Sequence, residues 1–183
     1  ELVPLPEEQA RKVIDKLLMQ AGWTVCDVRQ ANIHASRGVA IREFPLRTGH
    51  GEADYLLYVD GKAAGVIEAK KLGHTLSGVE IQSDKYTKGL PDGLPLWRNP
   101  LPFAYESTGV ETRFTNGLDP APRSRPVFAF HKPETLADWL ELPFEKAADA
   151  SPDYAQRGTT FLARLQHMPA LKTEGLWPAQ ITA

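Results

Sequence analysis

Two apolar runs on either side of Asp60-Gly61 constrain this chain more than any other feature. Asp54 to Val59 and Lys62 to Lys70 read as strands, and an Asp-Gly pair between such runs is a strong short-range hairpin signal. Side chains alternate along a strand, so Glu68 and Lys70 share one face with Val66, while Ile67 and Ala69 point the other way, suited to burial under a helix. Charges on a half-buried strand are costly unless they are paired or used. Asp54, at the head of the first strand, would have to reach the same face to join them.

Register decides whether it can. A plain two-residue loop pairs Val59 with Lys62 and sets Asp54 opposite Ile67, on the wrong face. A three-residue loop or a single bulge restores the parity. Gly61 suits a left-handed turn position and Gly65 marks a bulge site, so the expectation is an odd-length loop or a bulge between Asp54 and Glu68. Two carboxylates and an ammonium converging on a sheet surface suit phosphodiester cleavage: the carboxylates hold a divalent cation, and the lysine manages the attacking water or the developing phosphate charge.

Around this hairpin, Pro6 to Ala21 has helical apolar spacing (Ala10, Val13, Ile14, Leu17, Leu18, Ala21), with Gly22 as its stop. Trp23–Val28 and Val39–Leu46 read as extended segments separated by a polar loop. Val79 to Leu90 has helical character, and a Pro-rich loop follows from Pro91 to Pro102. Phe103–Glu106 and Glu111–Phe114 are short strands around Gly109. Pro126–His131 reads as a compact apolar strand, and a helix starts at Pro133. This order implies an α/β fold with a mixed central β-sheet flanked by helices. Residues 1–142 are expected to form that domain. Residues 143–183, where the composition changes, read as a linker and the start of a further domain.

With 183 residues, 42% apolar and 24% charged, the chain can bury a substantial core. A net charge of −2 gives no global basic footprint, so contact with nucleic acid has to be local or shared with partners. The one cysteine, Cys26, has no internal disulfide partner, and the histidines (His34, His50, His74, His131, His167) show no zinc spacing. No membrane-length apolar run or signal peptide stands out, and a cytoplasmic location with no membrane partner is expected. The chain starts at Glu1 without an initiator Met, and reads as a piece of something larger. Trp97 suits either an interface anchor or a satellite of the core, and Lys71, Lys85, Lys88 and Arg98 could line a DNA path or form an ordinary solvated surface.

Taken in order, Gly51-Glu52-Ala53-Asp54-Tyr55, Val66-Ile67-Glu68-Ala69-Lys70-Lys71 and Ile81-Gln82-Ser83-Asp84-Lys85-Tyr86 resemble the PD-(D/E)xK nuclease superfamily. More narrowly, they resemble the N-terminal nuclease domain of the restriction subunit of type I restriction-modification enzymes. The resemblance covers roughly the first 140 residues, and Ala53-Asp54 stands where the nominal motif has Pro-Asp. It implies a restriction-endonuclease-like core with Asp54, Glu68 and Lys70 as catalytic residues. Mg2+ would be held by Asp54, Glu68 and the Ala69 backbone carbonyl, and Lys70 would position or deprotonate water or stabilise the phosphate.

Gln82 and Tyr86, four apart on one helical face, would support the active site or contact DNA. Glu8 is a weaker candidate for the metal site, a solvated first-turn carboxylate being the plainer reading. The short match Gly175-Leu176-Trp177-Pro178-Ala179-Gln180 resembles the entry to a helicase-like motor, whose ATP would serve the full-length subunit and not this segment. The implied partners are double-stranded DNA and the methyltransferase and specificity subunits of a type I complex. The competing reading is a nuclease-like fold that binds DNA or another subunit without cutting. A junction resolvase is a third option, disfavoured by the helicase-like tail.

Overall fold

The computed structural model describes residues 6–76, 86 and 88–141. Helix α1 (Pro6–Gln20) leads into strand β1 (Thr24–Asp27), a single 3-10 turn (Val28–Gln30), and strands β2 (Gly38–Pro45), β3 (Glu52–Val59) and β4 (Lys62–Ala69). Strands β5 (Phe103–Ser107), β6 (Thr112–Asn116) and β7 (Arg125–Val127) follow, then helix α2 (Pro133–Glu141). The seven strands form one sheet in chain order. β1 runs parallel to β2 and β4 parallel to β5, while the remaining neighbours are antiparallel. The expected mixed α/β sheet with helices against it is therefore observed.

Both faces of the sheet are buried. On one, Ile14 and Leu18 of α1 and Leu136, Ala137 and Leu140 of α2 pack on Tyr55, Leu57, Ile67, Phe103 and Tyr105. On the other, Leu56, Tyr58 and Val66 meet Val39, Ile41, Tyr86 and Leu90. Helix α1 ends in a Schellman arrangement: the amide of Trp23 donates to the Leu18 carbonyl and that of Gly22 to Met19, each at 3.0 Å, with Gly22 at φ +92°. Tyr55 ties the helix to the sheet, its hydroxyl donating to Asp15 Oδ1 at 2.9 Å with the Arg11 carbonyl oxygen also within reach at 3.1 Å.

The strand expected over Pro126–His131 is shorter and displaced, covering only Arg125–Val127. Pro126 offers no amide to a ladder and sits on the sheet's edge, where pairing is with β6 alone. Phe128 is fully exposed, whereas Phe130 is buried in the core and His131 Nδ1 lies 2.7 Å from the Tyr105 hydroxyl. The chain leaves the ladder so that these two side chains can fill the space under α2. Trp97 is a satellite of the core: its indole nitrogen donates to the Val59 carbonyl at 2.7 Å, and Lys62 lies over its ring.

Candidate active site

The hairpin of β3 and β4 turns through Asp60 (φ +48°) and Gly61 (φ +76°), two left-handed residues that match the twist of the strands. Val59 pairs with Lys62 and Tyr58 with Ala63, but Leu57 then pairs with Gly65 and Tyr55 with Ile67. Ala64 is the extra residue, a single β-bulge one position before Gly65. The shift sets Asp54, one residue beyond the Tyr55–Ile67 pair, level with Glu68. The expected bulge is present, and the parity problem is solved by it and not by the loop. Gly65 is required where it stands, because a Cβ there would lie 2.6 Å from the Phe103 carbonyl oxygen of β5.

Asp54 accepts from the Ala69 amide at Oδ2 (2.9 Å) and from Arg11 at Oδ1 (2.5 Å). Arg11 also bonds Glu43 Oε1 at 2.8 Å, so one guanidinium joins α1 to β2 and β3. Glu68 receives Lys70 Nζ at Oε2 (2.8 Å) and the Tyr86 hydroxyl at Oε1 (3.0 Å). Asp54, Glu68 and Lys70 are only partly buried, with side chains 18%, 15% and 34% exposed, while Tyr86 is buried.

Burial is the largest influence on Lys70 and would lower its pKa. Its bond to Glu68, together with the charges of Glu68, Glu106 and Asp54, outweighs that, and the ammonium is held above its usual range. Burial pushes the Tyr86 phenol strongly upward, reinforced by Glu68 and Asp54. It stays a neutral donor at any working pH.

The structure thus gathers Asp54, Glu68, the Ala69 backbone, Lys70 and Tyr86. Gln82 lies outside the described residues, as do Gln180 and residues 142–183 with the expected linker. Glu8 is exposed and pairs with Lys12, one turn along α1, at 3.8 Å. No signal singled out Arg11, which sits on the helix as an ordinary charged position. Glu106 was also missed. It is buried in β5, in parallel register with Glu68, and its Oε2 accepts no hydrogen bond among the described residues. A lone acidic residue at the end of the apolar run Phe103-Ala104-Tyr105 was the available clue. Among the described residues, no three His, Cys, Asp or Glu side chains form a ready-made metal cage, and no helix is long and apolar enough to cross a membrane.

Comparison with known proteins meets the same part of the chain. Residues 29–94, which hold β2, β3, β4 and Tyr86, match the family model of the type I restriction enzyme EcoKI endonuclease subunit second domain. The chain is 27% identical over 184 aligned residues to the type I restriction enzyme EcoKI endonuclease subunit of Escherichia coli (strain K12), an alignment that takes in 74% of this chain. The chain spans about 16% of that relative's length. No solved structure matches. Two sequence comparisons thus point the same way, and this chain is similar to the endonuclease subunit of a type I restriction enzyme.

Proposed function

We propose that this chain is a Mg2+-dependent DNA endonuclease domain of the PD-(D/E)xK kind, working within the restriction subunit of a type I restriction-modification enzyme. The observation that carries the reading is the Ala64 bulge, which sets Asp54 level with Glu68 while Lys70 stays bonded to Glu68. A bulge is a costly irregularity in a central hairpin, and aligning two carboxylates is a use for it. The donor set suits a hard divalent cation: the carboxylates of Asp54 and Glu68, brought level on adjacent strands, with the Ala69 backbone beside Asp54.

Asp54 and Glu68 would hold the cation with the Ala69 carbonyl. When bound, Mg2+ supplies Lewis-acid polarisation of the phosphate and activation of water. Lys70, kept charged, would orient the attacking water or neutralise the developing phosphate charge. Tyr86 fixes the Glu68 carboxylate from its other oxygen. In the larger subunit, cutting would follow ATP-driven translocation by motor domains, and site recognition and methylation would fall to the specificity and methyltransferase subunits.

A second reading, a non-cleaving DNA-binding or subunit-interaction module, is favoured by the ion pairs: Asp54 and Glu68 each already carry a cationic partner from the chain. The test uses the full restriction complex. Asp54→Ala and Lys70→Ala are each expected to abolish DNA cleavage while ATP hydrolysis and translocation continue. Cleavage that persists in both variants overturns the proposal, and an absence of Mg2+ or Mn2+ binding that depends on Asp54 and Glu68 favours the second reading.

A further inference from the structure

Glu68 faces conflicting demands if it serves a cation. Its Oε2 is occupied by the Lys70 ammonium and its Oε1 by the Tyr86 hydroxyl. A carboxylate that turns toward a cation must release its lysine, and a partly buried ammonium released without an acceptor is strongly disfavoured. The neighbouring strand offers one. Glu106 is the parallel-register partner of Glu68, so both side chains leave the same face of adjacent strands. Ala104, two residues earlier, packs with Val66 and Tyr86 on that face, while Phe103 and Tyr105 pack on the other. Lys70 lies within electrostatic reach of Glu106, and its own amide donates to the carbonyl of the next residue, Ser107, at 2.8 Å.

Glu106 is 8% exposed, and its Oε2 is shielded from solvent and accepts no hydrogen bond among the described residues. Arg113, its register partner on β6, is committed elsewhere: Nε donates to Ser124 Oγ at 3.1 Å and Nη2 to the Ser124 carbonyl at 3.2 Å. A buried carboxylate oxygen left unpartnered costs free energy and calls for a function.

We infer that Glu106 is the alternate acceptor for Lys70: the lysine swings from Glu68 to Glu106 when Glu68 engages a divalent cation. This role rests on the cation-binding reading of Asp54 and Glu68 given above. Glu106 is a positioning residue here, acting through Lys70. It keeps the ammonium beside the reacting phosphate while freeing Glu68, and it lowers the cost of exchanging an internal ion pair for a metal contact.

A double-mutant cycle read by Mn2+ binding tests it, with the nucleotide-free full-length restriction subunit titrated calorimetrically. Glu106→Gln, isosteric and uncharged, is expected to weaken Mn2+ binding roughly fivefold, because Lys70 then competes undivided for Glu68. In a Lys70→Met background the same substitution is expected to change binding less than about twofold. An undiminished effect in that background overturns the role and makes Glu106 a direct contributor to the cation. If Glu106→Gln does not fold, Glu106→Asp keeps the charge but shortens its reach, and should show the same dependence on Lys70. Mn2+ binding that survives Glu68→Ala unchanged sinks the cation site and this role with it. Binding lost in Glu68→Ala but untouched by Glu106→Gln sinks this role alone.

Discussion

Arg11 and Asp54, 43 residues apart in sequence, are joined by a 2.5 Å contact between a guanidinium nitrogen of α1 and a carboxylate oxygen of β3. The same guanidinium reaches Glu43, which has a left-handed backbone (φ +47°) uncommon for a residue with a side chain. Arg11 thus compensates two acids at the open end of the sheet. It also competes with any cation for Asp54.

Removing that competitor should strengthen cation binding. Arg11→Gln is expected to raise Mn2+ affinity by roughly threefold or more, since a unit positive charge within hydrogen-bond distance of a ligand is lost. Calorimetry on the full-length subunit reads this directly. Unchanged or weakened binding in a folded variant would argue that Asp54 is held for structure and not for a metal.

Tyr86 bonds the oxygen of Glu68 that Lys70 does not. Tyr86→Phe deletes one hydroxyl and leaves the packing against Val66 and Leu56 in place. A hydrogen bond to a charged group is worth about 1.5–3 kcal/mol, and a loss at the lower end of that range is expected in denaturant unfolding. Cleavage by the complex should fall several-fold without vanishing, because the Glu68 carboxylate itself remains. Complete loss would assign Tyr86 a direct chemical role.

At Gly65, β4 packs closely against Phe103 of β5. Gly65→Ala would force its new methyl to within 2.6 Å of the Phe103 carbonyl and 2.9 Å of the Phe103 Cβ. Backbone cannot yield as a flexible side chain does, so overpacking of about 1–3 kcal/mol is expected as a lower thermal midpoint. The displacement would also part Glu68 from Glu106. A variant as stable as the parent would contradict this packing.

His131 gives the fold a pH dependence. Burial among Tyr105, Phe114 and Trp139 lowers its pKa below the ordinary value, so the unfolded chain binds its proton more readily than the folded one. Its contribution is therefore fully present above the ordinary histidine pKa, near 6.5, and is lost as pH falls from there toward the depressed folded value. Each unit of depression corresponds to about 1.4 kcal/mol. Unfolding free energies at pH 7.5 and 5.0 should diverge more in the parent than in His131→Asn, whose remaining slope comes from the carboxylates. Equal slopes would refute the assignment.

Much of the hairpin was legible in the sequence because its constraint is arithmetic: a two-residue turn, an alternating strand and one required face leave room for a single odd residue. Tyr86 was singled out through the family resemblance, since its i,i+4 spacing from Gln82 alone fits an ordinary half-buried helix tyrosine equally well. Glu106 was not. Its level on the sheet is set by a parallel pairing across residues 70–102, and nothing local specifies that register. Arg11 escaped because a long cation on an amphipathic helix looks the same whether it points to water or folds back over a strand end. Pro126–His131 misled because apolar residues were read as one strand, while the edge proline and the demand of the core for Phe130 divide them.

The bulge at Ala64 also limits how this hairpin can vary. Adding or deleting one residue between Asp54 and Glu68 exchanges inside for outside along a whole strand, whereas adding or deleting two preserves the alignment. The segment thus behaves like a reading frame in three dimensions. Length changes there should survive only in pairs, or when the bulge itself is the residue lost and the turn grows by one in exchange.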